Sequence, residues 1–362
     1  MARIVHVSAT ISTGIYTIIC TVAKGQMEAG HEVFLVGCTR PDDVVASWLD
    51  ELPKGVRYIE LPMEREIVPS RDWADLWALR RIFKQIHPDA IHLHSSKAGA
   101  LGRVAALFLG AAVVYQANAF AFLRRDVSQV KRMVFGLIEA ALALFPGRIV
   151  ASSASERITA RRYLFFRRID LVNNSIAVPA EALEVHEHLP ARTRLKVGTC
   201  GRVSPQKDPE FFAEVARRIG GDMEFVWIGG GLYPEGRQAL DATGVQVTGV
   251  VGRDDALKRI ADLDIYIQTS AWEGMPLSVL EAMALGVPVV VRNVVGNRDL
   301  LMPVAPENVV NTPEEMVARL RAMDGDAALR ARSGRMLKDH VAAEYSPQAQ
   351  CRAFEQLYGL AR

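Results

Sequence analysis

Short runs of β-branched and other apolar residues alternate along this chain with longer stretches in which apolar positions recur every three or four residues. The apolar runs at 3–7, 32–36, 56–61, 90–93, 112–115 and 148–151 predict buried strands, and helical spacing at 15–29, 73–86, 99–109 and 127–145 predicts helices between them. Strands apolar on both faces and joined by crossover helices specify a parallel sheet covered on both sides. The pattern then begins again. Strands are expected at 195–199, 224–228, 245–248, 264–268 and 287–291, with helices at 209–219, 254–261 and 277–285. Residues 178–194, rich in Pro, Glu and His, follow neither period and read as a linker. Residues 313–360 read as mostly helical, with a break at Ser346-Pro347.

The expected organisation is therefore a Rossmann-like domain at 1–176, a linker at 177–194, a second Rossmann-like domain at 195–345, and a terminal helix at 346–362 placed to pack back on the first domain. Doubly wound domains carry their strand carboxyl ends and Gly-rich turns on one edge, so the expected active site is a cleft where two such edges face each other.

Composition narrows the class. The 362 residues are 50% hydrophobic and 23% charged, which excludes a disordered, collagenous or coiled-coil chain. The net charge is only +2, but residues 1–176 carry 22 basic against 16 acidic side chains, and 10 of the basic residues with only 3 acidic ones lie at 124–168. Four widely spaced cysteines, Cys20, Cys38, Cys200 and Cys351, suit neither a zinc knuckle nor a disulfide framework, and a reducing cytoplasm is the expected setting. The apolar run after Met1 is too short for a signal-peptide core. The two most apolar stretches, 98–117 and 134–145, are interrupted by Arg103 and Glu139, so no spanning helix is expected.

The chemistry concentrates after the strand at 264–268. There Glu273-Gly274-Met275-Pro276-Leu277-Ser278 turns into a helix carrying Glu281, placing two carboxylates beside a helix N-terminus that attracts anions. A ligand with both phosphates and hydroxyls, such as a nucleotide sugar, suits that pair. The phrase from Glu273 to Val289, EGMPLSVLEAMALGVPV, resembles the signature of the retaining glycosyltransferases of family 4, which have the GT-B fold. Gly201-Arg202, followed by Lys207, resembles the element with which that family clamps the donor diphosphate; a guanidinium fork and an ammonium point charge can reach one diphosphate together. Gly229-Gly230-Gly231 resembles the family's Gly-rich turn, and Thr248-Gly249-Val250-Val251-Gly252 its nucleotide-base loop. Gly14 matches one glycine of the family's first loop, and residues 88–99 resemble bacterial surface-polysaccharide members.

The resemblance implies a fold of two parallel-sheet domains and a reaction that moves a sugar from a nucleoside diphosphate, UDP rather than GDP, to a glycan or lipid-linked saccharide hydroxyl. It implies Glu281 on the ribose, Glu273 on the sugar hydroxyls, Arg202 and Lys207 on the diphosphate, and the Leu277 and Ser278 N–H groups on phosphate oxygens. Gly14, Gly201, Gly230, Val251, Gly274 and Met275 complete the donor contacts. No cofactor, metal or nucleic acid is expected.

One position departs from the family. Where its members often carry a His beside the transferred sugar, this chain has Asn118, which can hydrogen-bond but cannot titrate near neutral pH. Two rivals stay open on these residues: a nucleotide-sugar epimerase of the same architecture, and a catalytically silent partner of an active transferase. Asp262-Leu263-Asp264 matches a metal signature but lies at a helix-to-strand junction, and His92 with His94 lacks a third ligand nearby in sequence, so packing or hydrogen bonding is the expected role of both. Cations interleaved with Phe120, Phe122, Tyr163, Phe165 and Phe166 suggest an anionic membrane surface at the inner face of the cell membrane as a further partner.

Overall fold

The computed structural model describes residues 1–9, 11, 13–38, 52–64, 68–177 and 192–360, which fold as two compact units. Most of the expected linker, residues 178–191, lies outside the described residues. The first unit comprises Met1–Leu123, Val127–Ser175 and Pro347–Arg362, and the second Arg124–Asp126 and Ile176–Ser346.

The first unit is built on seven strands, β1 (Arg3–Ser8), β2 (Glu32–Gly37), β3 (Arg57–Glu60), β4 (Ala90–His94), β5 (Ala112–Gln116), β6 (Arg148–Ala151) and β7 (Ile169–Leu171). They pair in parallel in the order β3-β2-β1-β4-β5-β6-β7, with α1 (Thr13–Glu28), α2 (Pro69–Ile86), α3 (Ser96–Ala105), α4 (Gln129–Leu142) and α5 (Ala154–Tyr163) in the crossovers. The order reverses between β1 and β4, the switch point at which such sheets bind ligands. Interior strand positions such as Ile4, Leu35, Ile91, Val114 and Val150 are fully buried, as uninterrupted apolar runs require.

Four local outcomes differ from the sequence reading. Strand β7 was not anticipated, because three residues after an Arg-dense segment carry no readable period. Helix α3 stops at Ala105, and the chain turns through Phe108 (φ 63°) and Gly110 (φ 76°). Helix α4 starts where the Ser128 hydroxyl accepts the Lys131 N–H, and it points its apolar stripe outward: Val130, Met133, Val134, Leu137 and Ile138 are all exposed. Phe122, expected at the surface, is fully buried and stacks on Phe120 and Tyr163 at 4.9 and 4.3 Å; of the interleaved rings only Phe165 and Phe166 are exposed.

The two charges that interrupt the most apolar stretches meet each other. Arg103 Nη2 lies 3.2 Å from Glu139 Oε2, Tyr115 donates its hydroxyl to Glu139 Oε1 at 2.7 Å, and the guanidinium covers the Tyr115 ring at 4.3 Å. Both side chains are buried, so neither charge is tolerable there without the other.

The second unit carries six parallel strands, β8 (Lys196–Cys200), β9 (Glu224–Ile228), β10 (Gln246–Val247), β11 (Ile265–Gln268), β12 (Val289–Arg292) and β13 (Val309–Val310), in the order β10-β9-β8-β11-β12-β13. Its helices are α6 (Pro209–Ile219), α7 (Pro234–Ala242), α8 (Arg253–Ala261), α9 (Leu277–Ala284), α10 (Asn297–Leu301), α11 (Pro313–Asp324) and α12 (Ala327–Glu344). Helix α6 shows why the local sequence suffices. Pro209 opens it, the Asp208 carboxylate caps the Phe211 N–H at 3.1 Å, and Phe212, Val215, Ala216 and Ile219 recur on one face, with Phe212 edge-on to Trp227 at 5.3 Å. Helices α7 and α10 and strand β13 were not anticipated; they are short or polar and owe their form to packing.

The last helix, α13 (Pro347–Tyr358), belongs to the first unit, where Cys351 fits against Gly25 so closely that a Cβ there would lie 2.4 Å from Sγ. Under α13 lie three buried imidazoles. His6 supplies the third histidine that the β4 spacing could not reveal, because it comes from the neighbouring strand, where it is in register with His92. Gln26 gives its amide N–H to Tyr358 (3.3 Å), so its oxygen accepts from His6 Nε2 (2.8 Å); His94 Nε2 then donates to His6 Nδ1 (3.0 Å), and His92 Nδ1 meets the Tyr358 hydroxyl at 2.7 Å. Although ring nitrogens of the three lie within 4.8 Å of one another, His92 and His94 are stacked at 4.1 Å, and both His6 nitrogens are engaged in hydrogen bonds. The group is a hydrogen-bonded stack.

Burial holds all three below the usual histidine range, His6 at about 4. In the unfolded chain they protonate near pH 6.5. Below that pH the unfolded state binds more protons than the folded one, so stability is lost as pH falls from 6.5 toward the folded values, by roughly 1.4 kcal/mol per pH unit for each ring that stays neutral. Urea midpoints for the first unit should drop between pH 7.5 and pH 5.5, and His94→Gln should flatten that drop; an unchanged midpoint would contradict this account.

Candidate functional site

Because the second unit's sheet is parallel, the loops leaving β8, β9 and β11 gather at one edge. Gly201 follows β8 with φ 153°, and Lys207 closes the ensuing turn through its N–H to Ser204 O. Gly229 follows β9 with φ 134°; a Cβ on it would lie 2.2 Å from Gly201 O, so only glycine lets these two loops touch. Val203 N–H donates to Gly230 O at 2.9 Å, and Gly229 N–H to the Thr248 hydroxyl at 3.0 Å, which ties the base-loop candidate to the Gly turn.

Glu273, 6% exposed, sits at the centre of this edge. Its Oε1 receives Lys207 Nζ at 2.8 Å, the Ser270 hydroxyl at 2.8 Å and Gln268 Nε2 at 3.2 Å, while Gln206 Nε2 reaches Oε2 at 3.3 Å. Glu281, 8% exposed, accepts from Arg253 Nη1 at 2.7 Å. Burial pushes the Glu281 carboxyl above the ordinary range, against the pull of Arg253. Between the two, α9 starts at Leu277 with no side-chain cap from Pro276, which leaves its first turn to anions. Ser278 accepts from the Tyr266 hydroxyl at 2.9 Å; Gly274, Met275 and Leu277 are buried, Val251 is half-buried, and Arg202 is exposed. The arrangement pairs each acid with a cation and sets both pairs beside backbone donors, which suits a ligand carrying diphosphate and hydroxyls together.

Arg253, Gln268 and Ser270 were missed. Each lies outside the motif phrases, though Arg253 directly follows Gly252 and Ser270 stands three residues before Glu273, positions that a search for partners of the two acids could have tried. Asp262 and Asp264 are both engaged by Arg192, and Asp262 also by Lys196 Nζ at 2.6 Å.

Gly14 and Asn118 belong to the first unit, apart from the other candidates. Gly14 is exposed in the first turn of α1, with open space where a Cβ would stand. Asn118 follows β5 in the left-handed region (φ 54°), as does Ala119 (φ 95°), and the Asn118 Oδ1 atom is buried without a hydrogen-bond partner among the described residues. A buried carboxylate holds this strained loop. Glu156 accepts N–H groups from Ser152 (2.7 Å), Ala119 (3.1 Å) and Phe120 (3.3 Å), and burial pushes its pKa up to about 7.

Two family models match this chain: a "Glycosyl transferase 4-like domain" over residues 13–175 and "Glycosyl transferases group 1" over residues 194–324. An Escherichia coli UDP-Gal:alpha-D-GlcNAc-diphosphoundecaprenol alpha-1,3-galactosyltransferase is 29% identical over 272 residues, 70% of each chain. A GDP-mannose-dependent alpha-mannosyltransferase of Mycolicibacterium smegmatis is 27% identical over 308 residues, 80% of this chain and 78% of that protein. Among solved structures, sucrose-phosphate synthase from Thermosynechococcus elongatus superposes with a TM-score of 0.82 at 17% identity over 99% of this chain and 98% of that one. Anabaena HepE in complex with UDP and glucose superposes with a TM-score of 0.79 at 15% identity over 99% and 100%.

Proposed function

This chain belongs to the family 4 glycosyltransferases of GT-B fold and bacterial polysaccharide type, and from that premise we propose that it moves a sugar from a UDP-linked donor to a hydroxyl of a lipid-linked saccharide, with retention at the anomeric carbon. The observation that carries the reading is the pairing of Glu273 with Lys207 and of Glu281 with Arg253 around the uncapped start of α9. The E. coli relative, named for UDP-galactose and a diphosphoundecaprenol-linked acceptor, supports both the nucleotide and the acceptor class.

In this reading the bond from the anomeric carbon to the diphosphate breaks, the acceptor oxygen bonds to the same face, and the acceptor proton passes to the departing diphosphate oxygen. Lys207 and Arg202 stabilise the charge that develops there, and no metal or cofactor is required. Glu273 orients the sugar hydroxyls and Glu281 the ribose. Asn118, at the position where family members often carry a His, supplies an amide and no titrating group, so no step of this reading passes a proton through it. The test is a thermal-shift screen of nucleotide sugars, followed by transfer to a diphosphate-linked saccharide with the new linkage read by proton NMR. Inversion would overturn the stereochemistry; donor turnover without acceptor would mark an epimerase, and no turnover a silent partner.

Peripheral docking on an anionic bilayer from the cytoplasmic side fits the same reading. The outward stripe of α4 and the exposed Phe165 and Phe166 supply apolar contact, and Lys131, Arg161 and Arg162 supply charge. Met133→Ser with Leu137→Ser should abolish co-sedimentation with phosphatidylglycerol vesicles, and wild-type binding should weaken with salt. Equal recovery on neutral vesicles would remove the electrostatic part.

A further inference from the structure

The edge strand β7 borders a groove of about 690 Å³ lying between α5 and α13. Its charged wall is Arg148, Arg157, Arg161, Arg168 and Asp170, joined by Gln356. Four guanidiniums against one carboxylate leave it net +3, and the volume falls within the range of small-molecule sites, roughly 300–1,000 Å³.

Asp170 does not neutralise this wall. It gives one oxygen to Arg148 at 3.3 Å and the other to Arg168 at 3.1 Å, each through a single nitrogen, and the two arginine side chains remain 49% and 84% exposed. A guanidinium carries five N–H donors, so most of each fork is left for a ligand. Arg157 and Arg161 stand one turn apart on α5, a spacing at which like charges repel. The Arg157 Nε atom is buried with no hydrogen-bond partner among the described residues, an arrangement that is costly unless something fills it. Helix α13 adds an amide, Gln356, and the apolar Ala353 and Leu357, but no carboxylate, to the groove.

We infer that this groove binds a phosphate-bearing anion of diphosphate size, held by forked hydrogen bonds from Arg157 and Arg161 and screened by Arg148 and Arg168. The same chemistry could be presented by a soluble diphosphate or by a lipid headgroup. The groove lies wholly within the first unit, whereas Arg202 and Lys207 lie in the second, so the inference stands apart from the donor reading.

Isothermal titration of the full chain tests it with two probes, inorganic diphosphate and dihexanoyl phosphatidylglycerol below its micelle concentration. Arg202 and Lys207 can also take diphosphate, so the readout is the binding lost in the double variant Arg157→Gln, Arg161→Gln but kept in the charge-matched control Arg81→Gln, Lys84→Gln, two exposed cations on α2. At least a tenfold loss for one probe in the first variant alone establishes the site, and the probe concerned assigns the source. The same losses in both variants would show only diffuse surface charge and overturn the site, as would no loss for either probe. Thermal midpoints confirm that both variants fold.

Discussion

Replacing Lys207 by Ala should lower sugar transfer about 100- to 1,000-fold, and Arg202→Ala should act alike, the loss expected when one preorganised stabiliser of developing negative charge is removed. Lys207 is held in place before any ligand arrives: its ammonium sits 2.8 Å from Glu273 Oε1, its carbonyl accepts from the Thr269 hydroxyl at 2.9 Å, and its stem packs beside Gly201. Folding should survive, because Glu273 keeps its hydrogen bonds from Ser270, Gln268 and Gln206. Lys207→Arg should rescue only in part, since a planar fork does not reproduce a point charge set between a carboxylate and a phosphate. Initial rates at saturating donor, with circular dichroism as the folding check, decide the matter; near-wild-type rates in Lys207→Ala would place the diphosphate clamp elsewhere.

The two acids should fail differently. Glu281→Ala should weaken UDP binding about 10- to 100-fold, the loss of one or two charge-assisted hydrogen bonds, while Glu273→Ala should leave UDP affinity nearly intact and lower turnover. Burial makes the difference sharp. Burial pushes the Glu281 carboxyl up while Arg253 and Lys207 pull it down, and its truncation also removes the Arg253 guanidinium's carboxylate partner. Glu281→Gln, which keeps shape without charge, should fall between wild type and Ala. Calorimetry with UDP and with the intact donor separates the roles, and a larger UDP defect in Glu273→Ala than in Glu281→Ala would reverse them.

What could be read from the chain followed the range over which each contact acts. The phrase from Glu273 to Glu281 is one strand-turn-helix, so its local chemistry was visible as a string. Strands such as β2 and β12, apolar runs buried along most of their length, were visible for the same reason. Partners that arrive from elsewhere were not visible: Arg253 stands 28 positions before Glu281, Glu156 lies 37 after Ala119, and His6 is 88 before His94. Helix α4 was legible as a helix, but the outward direction of its stripe was not, because periodicity gives the existence of an apolar stripe and not which way it points. The Arg103–Glu139 pair shows the converse, two apparent interruptions of apolar segments that cancel in space.

The placement of α13 has a consequence for the order of synthesis. Tyr358 completes a polar group begun by Gln26, 332 positions earlier, and by His92, 266 positions earlier, yet the whole of Ile176–Ser346 is made between them. A ribosome moving along this message therefore releases every residue of the second unit before the first can close over its imidazoles, so the half begun first is finished last. Until α13 emerges, three histidines on the face of a nascent sheet wait for their cover.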